Sequence, residues 1–396
     1  MNIDKKIKIF SNLKQYCIVA TPRSGSDYLQ SLLDNHKEIL TFNGYLMVYK
    51  NFYPKINFKD KSISNVKTSV KKFTTNYSHL LNTKKDKEEG KNNLGKNKKS
   101  FIALNLKKFN NIMLHYLNKK GFSKKHFTMA IYFAYNFCLG VSFKRKKILL
   151  MHPHNWDELL LFYKDFKLAN YIITIRDQRA GYYSALYNLS LFNNNQFYNL
   201  SHHHIVIFTT LYFQKIIKNL NLKHLCIRLE DLPHIKTLKL LSKILKVEFS
   251  TSLTNSTFAG KKWHGDAKQL KIYKDVWTPN RTYNNWRIKL SIKDKFLLEF
   301  LLIKILKEFN YDRRKFNFID HFKFISLLFL PMNFEKEVLK KNLFQVFLLK
   351  NKLKYFRKLL QNFYYYLRRI IIFLRYYFTD LIIERKYNTK FLRVKL

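Results

Sequence analysis

The chain has little acidity and little cysteine. Asp plus Glu number 26 against 74 Lys plus Arg, for a formal charge of +48 over 396 residues. Such an imbalance points to long anionic partners (a membrane surface, a nucleic acid, an acidic glycan), but it argues association and not fold. Lys, Asn, Phe and Tyr are abundant together, the pattern of a coding bias toward A and T as well as of a basic surface. The three cysteines, Cys17, Cys138 and Cys226, are far apart and odd in number, which excludes a disulfide scaffold and a cysteine zinc site. The first twenty residues, MNIDKKIKIFSNLKQYCIVA, lack an apolar stretch long enough for a secretory segment, so the expectation is a cytoplasmic, reducing location. Zinc-finger, helix-turn-helix and RNP-like patterns are missing too, and no specific nucleic acid is expected as a partner.

What is present alternates. Tyr16 to Thr21 reads as a buried strand and Asp27 to Asp34 as a helix with Tyr28, Leu29, Leu32 and Leu33 at helical spacing. Strand signals recur at residues 147–152, 171–175 and 224–232, with helices at 156–166 and 179–188 between them. Strands alternating with helices predict an α/β fold, a P-loop-like three-layer domain around a central parallel sheet. We assign residues 1–315 to it, with a polar insertion at about 51–100 and a helical one at about 101–145. NTKKDKEEGKNNLGKNKKS, residues 82–100, is almost wholly polar and reads as a solvated or disordered loop. Residues 316–396 form a basic, aromatic-rich, largely helical extension. Within it YYYLRRIIIFLRYYFTDLIIERKY approaches the apolar density of a membrane span, but Arg368, Arg369 and Arg375 interrupt it. The open alternatives are a helix lying in a membrane interface, a helix docked on the domain and a partner-binding surface.

The first strand–helix turn, TPRSGSD, is a small-residue turn feeding a helix start, where backbone N–H groups and the positive end of the helix dipole favour an anion. No G-x-x-x-x-G-K-[ST] is present, so this is not a Walker loop. A second anion turn, RDQRAGYYS, places Arg176 at a strand exit and Ser184 eight residues later. In a parallel sheet both turns fall beyond the carboxyl ends of strands, where ligands bind.

On these residues the chain resembles the bacterial sulfotransferase-like proteins that use 3'-phosphoadenosine 5'-phosphosulfate. TPRSGSDYLQSLLDNH is similar to their phosphosulfate loop and RDQRAGYYSALYNL to their 3'-phosphate motif. The resemblance covers roughly residues 14–50 and 147–310. It implies that Arg23, Ser24, Gly25, Ser26 and Asp27 hold the phosphosulfate and that Arg176 and Ser184 hold the 3'-phosphate. STFAGKKWHGD, residues 256–266, looks like the loop that closes over the nucleotide in that family. Lys261 and Lys262 are candidates to clamp phosphate, and Trp263 to stack on adenine or to anchor the core. Asp27 departs from the threonine common there, and a carboxylate is a poor neighbour for a sulfonate unless a cation neutralises it.

The implied reaction is sulfonate transfer to a hydroxyl or amine acceptor, an envelope or lipid-linked glycan, releasing adenosine 3',5'-bisphosphate, with no metal required. Arg23 is expected to stabilise developing charge. His152, after the strand in MHPHN, is expected as base, with His154 or Asp27 as alternatives. The resulting expectation is a cytoplasmic enzyme, peripheral at the inner face of a membrane with anionic lipid. Two readings from other classes are a nucleic-acid-binding protein and a catalytically silent membrane-surface protein.

Overall fold

The computed structural model describes all residues except 1, 22, 87, 88, 155, 189–198, 221, 266–284, 349–351, 383–390 and 393–396. Its centre is a parallel sheet of strands β1 (Lys14–Ala20), β2 (Ile39–Leu40), β3 (Ile148–His154), β4 (Asn170–Ile175), β5 (His224–Arg228) and the short edge strand β8 (Phe391–Leu392), in the order β2-β3-β1-β4-β5-β8. Every neighbouring pair is parallel. A separate hairpin pairs β6 (Thr257–Phe258) with β7 (Lys261–Lys262).

Because side chains alternate along a strand, each central strand feeds two cores. Cys17, Val19, Leu149, Met151, Ile173, Ile175 and Cys226 enter one cluster; Tyr16, Ile18, Ile148, Leu150, Ile172 and Ile227 enter the other. We number the helices of six residues or more. The second cluster is covered by α2 (Ser26–Leu33) through Leu29, Leu32 and Leu33, and by α9 (Ile235–Leu245) through Leu238, Leu241 and Leu245. The first is covered by α1 (Ile3–Ser11), α3 (Ile63–Asn76), α4 (Leu106–Lys120) and α5 (Lys124–Cys138), with α6 (Trp156–Phe162), α7 (Gln178–Tyr183), α8 (Leu200–Asn219) and α10 (Ile292–Glu308). This is the expected three-layer α/β arrangement. Caps fix the ends: Asn105, Ser123 and Ser291 each accept from a backbone N–H two or three residues inside the helix they start.

Two expectations are corrected, and a third, left open between alternatives, is narrowed. The described residues of 82–100 are neither a plain solvated loop nor disordered. Thr83 is fully buried, its Oγ1 donating to Lys91 O (2.8 Å) and accepting from Ile102 N (3.0 Å). Leu94 and Ile102 pack against Phe258 and Trp263 of the hairpin. One leucine suffices because hydrogen bonds fix the loop's ends and the hairpin supplies the apolar partner. Next, the adjacent His202, His203 and His204 read in sequence as a surface helix start, because neighbouring residues do not share one helix face; His203 is instead buried on α8 against Tyr182 Oη at 2.8 Å.

The third concerns the extension at 316–396. Its helices α11 (Phe318–Leu328), α12 (Asn333–Leu348) and α13 (Lys352–Tyr376) send Phe324, Leu328, Phe334, Val338, Ile370, Phe373 and Tyr376 into the first cluster, so they share a core with the α/β domain. Arg369, one of the three arginines that interrupt the apolar run, is 1% exposed; its Nε and Nη2 donate to Glu335 Oε1 and Oε2, each at 3.0 Å, and its guanidinium also reaches the carbonyls of Leu328 and Leu330. Arg368 and Arg375 stay exposed. The docked alternative therefore describes the buried side of α13. Residues 383–387 of the expected interfacial segment lie outside the described residues.

Candidate active site

Three sheet elements and one insertion converge at the carboxyl end of β1 and β3. After β1 the chain turns through Arg23 (φ 57°) and Gly25 (φ 78°) into α2. Ser24 pins the turn, its Oγ bonding Thr21 O (2.9 Å) and Thr174 Oγ1 (2.8 Å). Glycine is required at 25, because a Cβ there would stand 2.3 Å from Leu229 Cδ1 and the backbone is left-handed. Gly25 is the N-cap of α2 and offers no side-chain cap, so the helix start keeps its backbone donors for another acceptor. Arg176, 7% exposed at the exit of β4, donates to Arg23 O at 3.4 Å. Burial and the neighbouring Arg23 lower its proton affinity, while Glu230 and Asp177 raise it. Arg176 thus lies directly against the Arg23 turn, and the two side chains bring positive charge to neighbouring strand exits, where anionic groups can be held. Ser184 is buried at the end of α7, where the helix loosens into a π turn over Ser184–Asn188. Arg179 belongs to the frame: it pairs with Asp177 through two nitrogens, reaches Glu299 at 2.6 Å and lies over the Trp286 ring.

β3 runs further than the sequence suggests, through His154, so both histidines sit in the strand's end instead of beyond it. The register breaks there: Cys17 faces Met151 but Val19 faces His154, so three residues of β3 oppose two of β1. This bulge, together with a left-handed His154 (φ 63°), re-aims the imidazoles until their centroids are 5.1 Å apart. His154 also stacks on Tyr45, ring centroids 4.2 Å apart.

Hydrogen bonding assigns the protons. Gln30 Nε2 donates to Phe42 O (2.7 Å) and Gly44 O (3.1 Å), which leaves Gln30 Oε1 as acceptor for His152 Nδ1–H at 2.7 Å. His152 Nε2 then carries a lone pair and accepts from His154 Nδ1–H at 3.3 Å. His154 Nε2 is left as the lone pair at the end of the chain. His152 is 1% exposed, and burial pushes its pKa down to about 3, so it is neutral at ordinary pH. Its enclosure and its commitment to Gln30 and His154 are at odds with the expected direct contact with an acceptor. His154, partly exposed, is also lowered: burial, Arg23 and Lys91 depress it and Asp27 opposes them.

Asp27, in the first turn of α2, lies 3.8 Å from His152 Nδ1, its side chain 23% exposed. Its Oδ1 is buried and has no hydrogen-bond partner. Burial raises the carboxyl, but His152 and His154 where protonated, with Lys91 and Arg23 as standing cations, outweigh it and hold Asp27 below the usual carboxylate value. The neutralising cation that this departure calls for is thus provided, and part of it comes from an unexpected place.

Lys91, in the insertion, is 2% exposed. Its ammonium lies over the Phe258 ring (4.7 Å), 4.0 Å from Glu89, and against Gly44, 2.3 Å from where a Cβ would stand. It acts electrostatically on Asp27, His152 and His154 together. No local signal separates it from the other lysines of its run. Gln30 left a faint one, an amide on the apolar face of an amphipathic helix; Tyr45 left none.

The expected closing loop holds this insertion. Trp263 Nε1 donates to Glu89 O (2.9 Å), its ring lies edge-on to Phe258, and Lys261 Nζ donates to Phe101 O (2.7 Å). Gly95 N donates to Lys262 O (2.8 Å), while the Lys262 side chain is exposed. Trp263 is therefore a core anchor here and not poised to stack on a base; the three residues are gathered at the insertion.

No family model matches the chain, and no curated protein matches it. Among solved structures it is similar to the sulfotransferase domain from the curacin biosynthetic pathway, at 14% identity and a TM-score of 0.46, over 76% of this chain and 99% of that one.

Proposed function

We propose that the chain transfers a sulfonate group from 3'-phosphoadenosine 5'-phosphosulfate to a hydroxyl acceptor. The observation that carries this reading is the Gln30–His152–His154 chain ending beside the Arg23 turn and Asp27. The residues fit such a donor: an uncapped helix start, two adjacent arginines and an orphaned carboxylate oxygen are all suited to an anion and a hydroxyl brought together. When bound, the donor supplies an activated sulfonate on a phosphate leaving group.

Arg23 and the backbone donors at the start of α2, from Ser24 to Asp27, hold the phosphosulfate. Arg176 and Ser184 take the 3'-phosphate. Lys91 offsets negative charge developing on the sulfonate. Asp27 Oδ1 accepts a hydrogen bond from the acceptor hydroxyl and orients it. The proton goes to His154 Nε2, the lone pair at the end of the Gln30–His152–His154 chain, while Asp27 positions the hydroxyl. His152 and Gln30 are positioning residues that fix the tautomer of His154. For the acceptor we propose a hydroxyl on a glycan or lipid-linked glycan, a class suggested by the basic charge of the chain and not by the site itself.

Transfer of labelled sulfonate to a panel of glycan, lipid-linked and small-alcohol acceptors tests the reading. His154→Ala should lower turnover by about 10² or more with affinity for adenosine 3',5'-bisphosphate unchanged. Normal turnover in that variant, with loss in His152→Ala, would return the base role to His152. A protein that ignores the bisphosphate would end the proposal.

A further inference from the structure

The helix α13 presents two different faces. On one, Asn362, Arg369, Phe373 and Tyr376 are buried against the rest of the molecule. On the other, Phe356, Leu360, Phe363, Leu367, Ile371 and Phe378 recur every three, four or seven residues, the last of them just past the helix in the π turn that extends it, and are 43–62% exposed. That spacing puts them on one continuous stripe. Alongside the stripe lie exposed Arg357, Arg368 and Arg375, and Lys352–Tyr376 contains no Asp or Glu. Large apolar side chains continue on the neighbouring elements: Phe344 and Phe347 of α12 are 66% and 75% exposed, and Phe329, whose carbonyl accepts from Tyr366 Oη, is 55% exposed.

A continuous apolar surface of this kind on a soluble domain marks a contact surface. Charge selects the occupant. A second copy would bring an identical basic edge against this one on a chain of net charge +48, and a protein partner would need a complementary acidic rim. An anionic bilayer supplies both requirements at once, with acyl chains for the stripe and lipid phosphates for the flanking cations. No described helix is long and apolar enough to cross a membrane, so the helix lies along the surface. We propose that the exposed stripe of α13 seats the protein on an anionic lipid surface, while the buried Arg369 face holds the helix to the domain. None of the residues assigned to sulfonate transfer lies on this stripe, so the surface stands or falls independently of that reaction.

Sedimentation of the full chain with phosphatidylcholine vesicles, with and without phosphatidylglycerol, tests the surface. Binding is expected only with the anionic lipid and should weaken with salt. The charge of the whole chain could by itself attract such vesicles, so the decisive variant keeps it: Phe356→Ser, Leu360→Ser, Phe363→Ser and Leu367→Ser together. This variant should bind at least about tenfold more weakly, with its unfolding transition in place. Equal binding would overturn the proposal in favour of bulk attraction. A vesicle-indifferent wild type that the same changes convert from dimer to monomer would overturn it in favour of self-association. Should the quadruple variant fail to fold, Phe363→Trp in the otherwise native chain gives a second measurement. Its emission should shift to the blue on anionic vesicles, and an unchanged spectrum would refute insertion.

Discussion

Two of the places where this molecule buries charge treat it in opposite ways. In the C-terminal layer Arg369 meets both carboxylate oxygens of Glu335 and two backbone carbonyls, and Glu335 also accepts from Met332 N at 2.8 Å. At the carboxyl end of the sheet Asp27 is surrounded by His152, His154, Lys91 and Arg23, yet its buried Oδ1 accepts from no donor. The first arrangement completes its hydrogen bonds internally and serves the fold. The second keeps an acceptor atom in reserve, which is the expected state of a group whose partner arrives with a substrate.

Breaking the closed pair should have the largest effect. Arg369→Ala leaves Glu335 fully enclosed without its partner, and should cost about 3–5 kcal/mol of stability in denaturant unfolding. Asp27→Asn, removing a charge from an incompletely bonded site, should leave stability within about 1 kcal/mol. Similar losses at both positions would erase the distinction.

Next comes the cation supplied by the insertion. Lys91→Met should lower turnover roughly 10²-fold, the scale of one lost oxyanion donor, while binding of adenosine 3',5'-bisphosphate persists. Because Lys91 depresses His154, its removal should also move the acid limb of the pH–rate profile upward. An unshifted limb would place Lys91 in a structural role.

A smaller change is expected at Arg176. Losing one charge-assisted contact, about 1.5–3 kcal/mol, should weaken a 3'-phosphorylated nucleotide tenfold or more by calorimetry, and its analogue without that phosphate far less. Equal losses would remove Arg176 from the 3'-phosphate.

The smallest effect sharpens the roles of the two candidate bases. Asp27 raises the pKa of His154, so Asp27→Asn should shift the acid limb downward, by less than about one pH unit. Activity needs neutral His154 and is therefore lost as pH falls through that limb. Disappearance of the limb in Asp27→Asn would make the carboxylate the titrating base.

Much of the architecture was legible because its signals are local. Buried strands such as Tyr171 to Ile175, helix starts with Asn or Ser caps, and the small-residue turn around Gly25 each follow from a few adjacent residues. Arg23 and Arg176 were legible for the same reason, since each sits at a strand exit. The sequence by itself therefore determined a parallel α/β sheet with two arginine turns at its carboxyl end. Tertiary structure alone decided what surrounds them. Lys91 reads as one lysine in a solvated run, and its burial depends on Thr83, which donates to Lys91 O and accepts from Ile102 N, and on a hairpin about 170 residues later. Nothing in MHPHN distinguishes its two imidazoles; Gln30, 122 residues before His152, sets their tautomers. The three tail arginines look alike in sequence, and only packing against Glu335 makes Arg369 a core residue and leaves Arg368 and Arg375 at the surface. Periodicity records which face of a helix is apolar, but not which of two apolar faces another helix covers, because that choice is made by contacts between segments far apart in the chain.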